Sequence, residues 1–153
     1  MSRISSSTKA LLSEMASGTI RKQIKDIQSQ LEALQQSSEA EDKSSSGDKY
    51  ETAREVINQS RNILEKQLVS YQMMNERLKM IPVHASDKVQ EGALIELELG
   101  WIWVSVALGK EVLDGVEFQL VSKDSPLVAA IWGCKAGQTA VFRKGKIKVQ
   151  RIH

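Results

Sequence analysis

Ile20, Ile24, Ile27, Leu31 and Leu34 follow one another at alternating steps of four and three residues. That period is the seam of a helix packed lengthwise on another helix, and no strand can use it, because strand side chains alternate with a period of two. Leu11, Leu12 and Met15 carry the helix toward the N-terminus, while Arg21, Lys22, Lys25, Gln28, Gln30 and Glu32 fill its solvent side. The pattern stops in the serine-rich, acidic stretch from Ser37 to Gly47. It restarts at Asp48, where Asp48 and Glu51 have the spacing of a capping box. Tyr50, Ala53, Ile57, Ser60, Leu64, Leu68, Tyr71, Met74 and Leu78 then trace a second apolar stripe, and Pro82 ends it.

Neither stripe is buried unless the two helices pair, and a short connection pairs them antiparallel. Helices of about thirty residues make a hairpin on the order of 45 Å long. Its core is thin, so much of it is expected to stand clear of the rest, with the acidic connection at its far end. The expected division is a helical hairpin over 1–81, with an acidic polar tip at 37–48, and a second domain over 83–153.

Past Pro82 the period shortens. Residues 93–99 alternate as a strand does, Gly100 marks a tight turn, and Trp101–Leu108 and Val116–Val121 read as further strands. Gly109 and Asp114-Gly115 are turn signals. Ser125-Pro126 opens a short helix, serine at the cap and proline in the first turn, running to Gly133. Residues 139–143 and 146–152 make a last hairpin around Gly145. About five strands and one short helix give an α+β protein whose second domain, roughly seventy residues long, is small but viable.

The net charge of +2 does not argue for a polyanionic partner, but its distribution is uneven. Glu39, Glu41, Asp42, Asp48 and Glu51 crowd the tip, whereas Lys135, Arg143, Lys144, Lys146, Lys148 and Arg151 share a stretch with no acidic residue. Such patches steer partners, and they also occur as ordinary solvated surface. Cys134 is the only cysteine, which excludes an intrachain disulfide and fits a reducing compartment. No secretory h-region and no run long enough to span a membrane is visible, so a cytoplasmic protein with no membrane partner is expected.

Two stretches carry a family resemblance. Ser125-Pro-Leu-Val-Ala-Ala-Ile-Trp-Gly133-Cys-Lys-Ala-Gly137-Gln-Thr-Ala-Val141 resembles the signature of the C-terminal domain of the Gre transcript-cleavage factors. Gln138 stands where that family has aspartate, and Trp132 where it has leucine or isoleucine. Tyr50-Glu-Thr-Ala-Arg-Glu55 is similar to the motif that opens the second hairpin helix of Gre factors. The resemblance implies an FKBP-like C-terminal domain that docks on RNA polymerase, through a surface built on Ser125, Pro126, Leu127 and Ile131. It further implies a hairpin that enters the polymerase secondary channel. Tip carboxylates would there help hold a Mg²⁺ shared with the polymerase, so that the polymerase cleaves its own backtracked transcript. The chain itself would then be no enzyme, would bind no cofactor alone, would touch nascent RNA only indirectly, and would act as a monomer.

At the tip the sequence departs from that pattern. Counted back from Tyr50, the family's acid pair falls on Lys43 and Ser46. Asp42 and Asp48 are the nearest substitutes, with Glu41 beside them, and oxygen donors of this kind suit Mg²⁺. A Gre-like inhibitor or regulator that does not stimulate cleavage is the alternative the tip leaves open. Acids at a helix start also serve simply as favourable charges, without metal chemistry.

Other classes fit less well. A condensing enzyme needs a cysteine nucleophile with partners in a large fold, whereas Cys134 has no evident base, and His84 and His153 lie apart in sequence. A stand-alone FKBP-like prolyl isomerase rests on fold analogy alone. Trp101, Trp103 and Trp132 read as packing or interface residues. A continuous coiled-coil oligomer would need its seam to cross residues 37–48, which are too polar.

Overall fold

The computed structural model describes residues 4–43 and 47–153, and the side chains of 4–40 and 51–153. Two long helices, α1 (Ser6–Lys43) and α2 (Gly47–Met80), precede a β-rich C-terminal part. The latter holds β1 (Leu94–Leu97), β2 (Gly100–Val104), β3 (Gly109–Leu113), β4 (Val116–Val121), α3 (Pro126–Ile131), β5 (Thr139–Phe142), β6 (Gly145–Lys148) and β7 (Arg151–Ile152). By contacts, residues 1–18 and 76–153 make one compact unit and residues 19–75 another.

In the unit 19–75 the helices run antiparallel. Gln23, Ile27 and Gln30 share a cleft with Gln67, Ser70, Tyr71 and Met74, and one turn on Gln30, Leu34 and Ser37 share the next with Ser60 and Leu64. The seam falls where the period places it. Ile20 and Ile27 are buried and Ile24, Leu31 and Leu34 half-buried, facing Ala53, Ile57, Ser60, Leu64, Leu68, Tyr71 and Met74, all half-buried. Helical backbone outlasts the apolar stripe: α1 continues through Ser37 and Ser38 to Lys43. Ser38 still occupies the next seam position, four residues after Leu34, and is half-buried there. Serine weakens a helix by only a few tenths of a kcal/mol. The loss of apolar residues therefore thins the seam without ending the helix.

In the other unit, five strands form a sheet in the order β3-β4-β2-β1-β7, and β5 and β6 form a separate ribbon. β2 and β4 are parallel and the remaining pairs antiparallel. β3 and its hairpin with β4 are additions to the expected strands. Leu113 pairs with Val116, so Asp114 and Gly115 are the whole turn, with φ of 51° and 79°. Positive φ at both residues is the primed turn that matches strand twist, and Asp-Gly is its usual sequence. In the ribbon, Phe142 pairs with Gly145, so the turn is Arg143-Lys144 and Gly145 already belongs to β6. Gly145 was expected at the turn; Arg143 instead takes the left-handed backbone, at φ 57°.

The sheet is covered on both faces. Ile95, Leu97, Ile102 and Val104 on one face join Val128 and Ile131 of α3, with Val89, Ala93 and Val149, in one cluster. Register sends Leu94, Trp103 and Leu120 to the opposite face, together with Trp101 and Phe118. These are buried as well, and so are Leu12, Ala16, Leu78 and Ile81 at the helix ends of the same unit. Since α3 closes the first face, the second face and the helix ends are the apolar surfaces left to cover each other. Gly92 fixes the approach of the chain into β1: at φ 94°, its added Cβ would lie 2.7 Å from the Pro82 carbonyl oxygen. Its own carbonyl accepts the Trp103 indole N–H at 3.2 Å.

Adjacent leucines provide a test of that second cover. Leu12 is fully buried whereas Leu11 is 51% exposed. Leu12→Ala is expected to cost about 2–5 kcal/mol and Leu11→Ala within about 0.5 kcal/mol. Urea denaturation followed by tryptophan fluorescence reads both, because the tryptophans lie in the β-rich part. Equal midpoints for the two variants would remove the start of α1 from the core.

Candidate functional site

Of the residues singled out from sequence, Glu41, Asp42 and Asp48 lie outside those whose side chains are described; so does the capping role of Asp48. Among the described residues no group of three or more metal-ligating side chains gathers. The chemistry open to structural reading is therefore in the β-rich unit, around α3 and at the helix ends.

α3 is a six-residue helix that carries Pro126 to Ile131 of the Ser-Pro-Leu signature. Pro126 sits at its start, where its missing N–H costs nothing. Ser125 occupies the cap position, but its hydroxyl makes no capping bond. Its carbonyl instead accepts from the Ala129 amide at 2.9 Å, and its own amide donates to the Ser122 carbonyl at 3.1 Å. Ser125 thus acts through its backbone.

Ile131 is fully buried in the core cluster, and Leu127 is half-buried against it. Ile131 is therefore held by the core, whereas Leu127 keeps part of its side chain in water. Pro126, Ala129 and Trp132 are exposed, Trp132 at 48%. Trp132 stands where the helix ends and Gly133 turns the chain at φ 78°. The Gly133 amide then donates to the Val89 carbonyl and the Val89 amide to the Cys134 carbonyl, both at 2.8 Å. This pair of bonds anchors the backbone on both sides of the turn. A large aromatic side chain, half in water on a pinned turn, is the kind of group that anchors protein interfaces. Sequence reading had grouped all three tryptophans as packing or interface. Trp101 and Trp103 are core, with Trp101 stacked on His153 at 5.8 Å, and Trp132 alone is open. Cys134 is half-buried against the core.

At the helix ends the structure brings together groups that sequence did not mark. Arg77 near the end of α2 makes a two-pronged ion pair with Glu91, its Nε donating at 2.9 Å. Lys9 is fully buried. Its ammonium donates to the His84 carbonyl at 2.7 Å and to the Ser86 hydroxyl at 3.3 Å, and among the described residues it has no carboxylate partner. Burial without a counter-charge pulls its pKa from 10.5 to about 8. His153 is also held below its ordinary value, by burial first and then by the nearby Lys9 and Arg151 charges.

The sign of the Lys9 effect follows from linkage. Below about pH 8 both folded and unfolded chains carry the proton, and folding must bury a charge. Between about 8 and 10.5 the folded chain has released it while the unfolded chain still binds it, so stability rises with pH across that window. Melting temperatures of the parent and of Lys9→Met are expected to depend differently on pH there, the parent alone gaining stability. Parallel curves would mean that the ammonium is solvated.

No protein-family model matches the chain, and no curated protein matches it significantly. Solved structures to which it is similar over most of its length include three of Gfh1. GreA factor homolog 1 (Gfh1) of Thermus thermophilus is 18% identical, with 90% of this chain and 94% of that one covered, at a TM-score of 0.39. A structure of the transcription factor Gfh1 is 20% identical, covering 90% and 93%, also at 0.39. Thermus aquaticus Gfh1 is 20% identical, covering 89% and 92%, at 0.34.

Proposed function

We propose that the chain is a Gre-like transcription factor that binds RNA polymerase and inserts its helical hairpin into the secondary channel, acting on paused or backtracked complexes. The observation that carries this reading is where the two Gre-like motifs fall. The Ser-Pro-Leu signature spans α3, the exposed Trp132, the Gly133 turn and the start of β5. The tyrosine motif opens α2, directly after the acidic connection. A helical pair whose seam runs from Ile20 past Leu34 is a stiff element, and one with a polar, half-buried seam can slide into a charged channel without exposing a large apolar face. On this reading the chain is not itself an enzyme. It brings carboxylate oxygens toward a Mg²⁺ held mainly by the polymerase, a cation that takes such donors. No helix among the described residues is long and apolar enough to cross a membrane.

Lys43 and Ser46 favour a second form of the same reading, in which the factor occupies the channel and inhibits or regulates without stimulating cleavage. A backtracked elongation complex incubated with the protein and Mg²⁺, and scored for shortened transcript, separates the two. Where transcript is shortened, Asp42→Asn with Asp48→Asn is expected to abolish shortening and leave polymerase binding within about twofold. Asparagine caps a helix as well as aspartate does, so geometry is retained while charge is lost. Full shortening by the double variant would leave channel occupancy as the sole action of the tip.

Docking has its own test. Trp132→Ala is expected to weaken binding to core polymerase by 2 kcal/mol or more, about thirtyfold, with an unchanged circular dichroism spectrum. Ile131→Asp, by contrast, is expected to unfold the β-rich unit. Unaltered affinity in a folded Trp132→Ala variant would move the docking surface away from α3.

A further inference from the structure

Residues 125–153 contain no aspartate or glutamate, yet they carry six lysines and arginines. Four of these lie on the β5–β6 ribbon. Ala140 and Ile147 pack against the core, so strand alternation turns Thr139, Val141, Lys146 and Lys148 outward, and all four are exposed. Thr139 pairs with Lys148 and Val141 with Lys146. Arg143 and Lys144 form the exposed turn at the ribbon's end. Arg151, beyond the ribbon, is engaged by Glu96 at 3.5 Å. Among the described residues none of Arg143, Lys144, Lys146 and Lys148 pairs with a carboxylate. Like charges so close together repel, and no carboxylate among the described residues pairs with them.

We propose that the outer face of this ribbon binds the phosphate backbone of double-stranded DNA without regard to sequence. Lys146 and Lys148 are two residues apart on one face, hence about 7 Å apart along the strand. Successive phosphates on a nucleic-acid strand are separated by a similar distance. Three of the four cations are lysine, which protein–protein interfaces tend to exclude and phosphate contacts favour. Single-strand binders add open aromatic faces on which bases stack. The ribbon's one aromatic, Phe142, is half-buried and has the Arg143 guanidinium 5.0 Å from its ring centre. What remains is a line of point charges, which suits a duplex whose bases are already stacked inside.

This inference does not depend on the polymerase reading, and its test needs no polymerase. The full chain is titrated against a short fluorescent DNA duplex at several salt concentrations, with single-stranded DNA of equal length and polyglutamate as competitors. Three or four phosphate contacts give a slope of log K against log salt of roughly −3 to −4. Lys146→Gln with Lys148→Gln is expected to make that slope shallower by about 2 while the circular dichroism spectrum stays the same. A control pair on the exposed side of α1, Lys22→Gln with Lys25→Gln, is expected to leave it unchanged. Absence of duplex binding at low salt overturns the proposal, as does an equal effect of the control pair. Tighter binding of the single strand or of polyglutamate would overturn it too, by assigning the face to another partner.

Discussion

Strand β2 is buried on both sides, and most of the C-terminal structure follows from that. Ile102 and Val104 point one way, Trp101 and Trp103 the other, and each is nearly or fully removed from water. Burying side chains of this size is worth about 1.5–3 kcal/mol each, so neither face can be left open. α3 is brought over the first face, and its six residues suffice because Val128 and Ile131 both point inward. For the second face the chain has only the ends of its long helices. The helix ends, where Leu12, Ala16 and Leu78 are buried, thus belong to the same compact unit as the sheet.

The two parts of the helical pair are stabilised differently. Near the sheet, Leu12, Ala16 and Leu78 are fully or almost fully buried. Through residues 19–75 most seam positions are half-buried, and glutamine and serine line the clefts between the helices. A seam of that kind gives little burial per residue, so this segment is expected at the low end of local stability. Its solvent side also carries apolar groups: Val56, Ile63, Val69 and Met73 of α2 are each more than half exposed.

The helices were legible in the sequence because a 3.5-residue period over so many positions has no competing explanation. Residues 116–121 alternate as a strand does, and residues 93–97, though their alternation is imperfect, were legible as a short apolar run closed by Gly100. β3 was not: as an edge strand it buries no residue fully, and Lys110 and Glu111 break its apolar pattern. The Asp114-Gly115 turn was its one local signal. Seen as a generic turn, it hid a hairpin whose second strand was already recognised. Around α3 the motif located the element, but a six-residue helix is too short for periodicity to separate core from surface. Ile131 and Trp132 are adjacent and apolar, and only packing tells them apart. The tip acids were visible in sequence as a charge cluster, and their arrangement rests on side chains outside the described set.

Lys9 is the residue that sequence could least have flagged, since a lysine in the first turns of a helix is ordinarily solvated. An unpaired ammonium in a core lowers stability, and a methionine of similar length would avoid the cost. Its value has to lie in where its bonds go. The His84 carbonyl and the Ser86 hydroxyl belong to the segment that leaves α2 and leads to β1. That segment has no secondary structure to satisfy its own polar groups, and Gly92 already brings it against Pro82. A cation with several donors can hold two oxygens of such a segment at once, and an apolar side chain can hold neither. Arg77 does the same from α2, through Glu91. Each helix therefore contributes one long cationic side chain to the connection, fixing how the chain passes from helix to sheet. The constraint bought in this way is one of register, and it is the reason a destabilising charge can persist in a core that otherwise excludes charge.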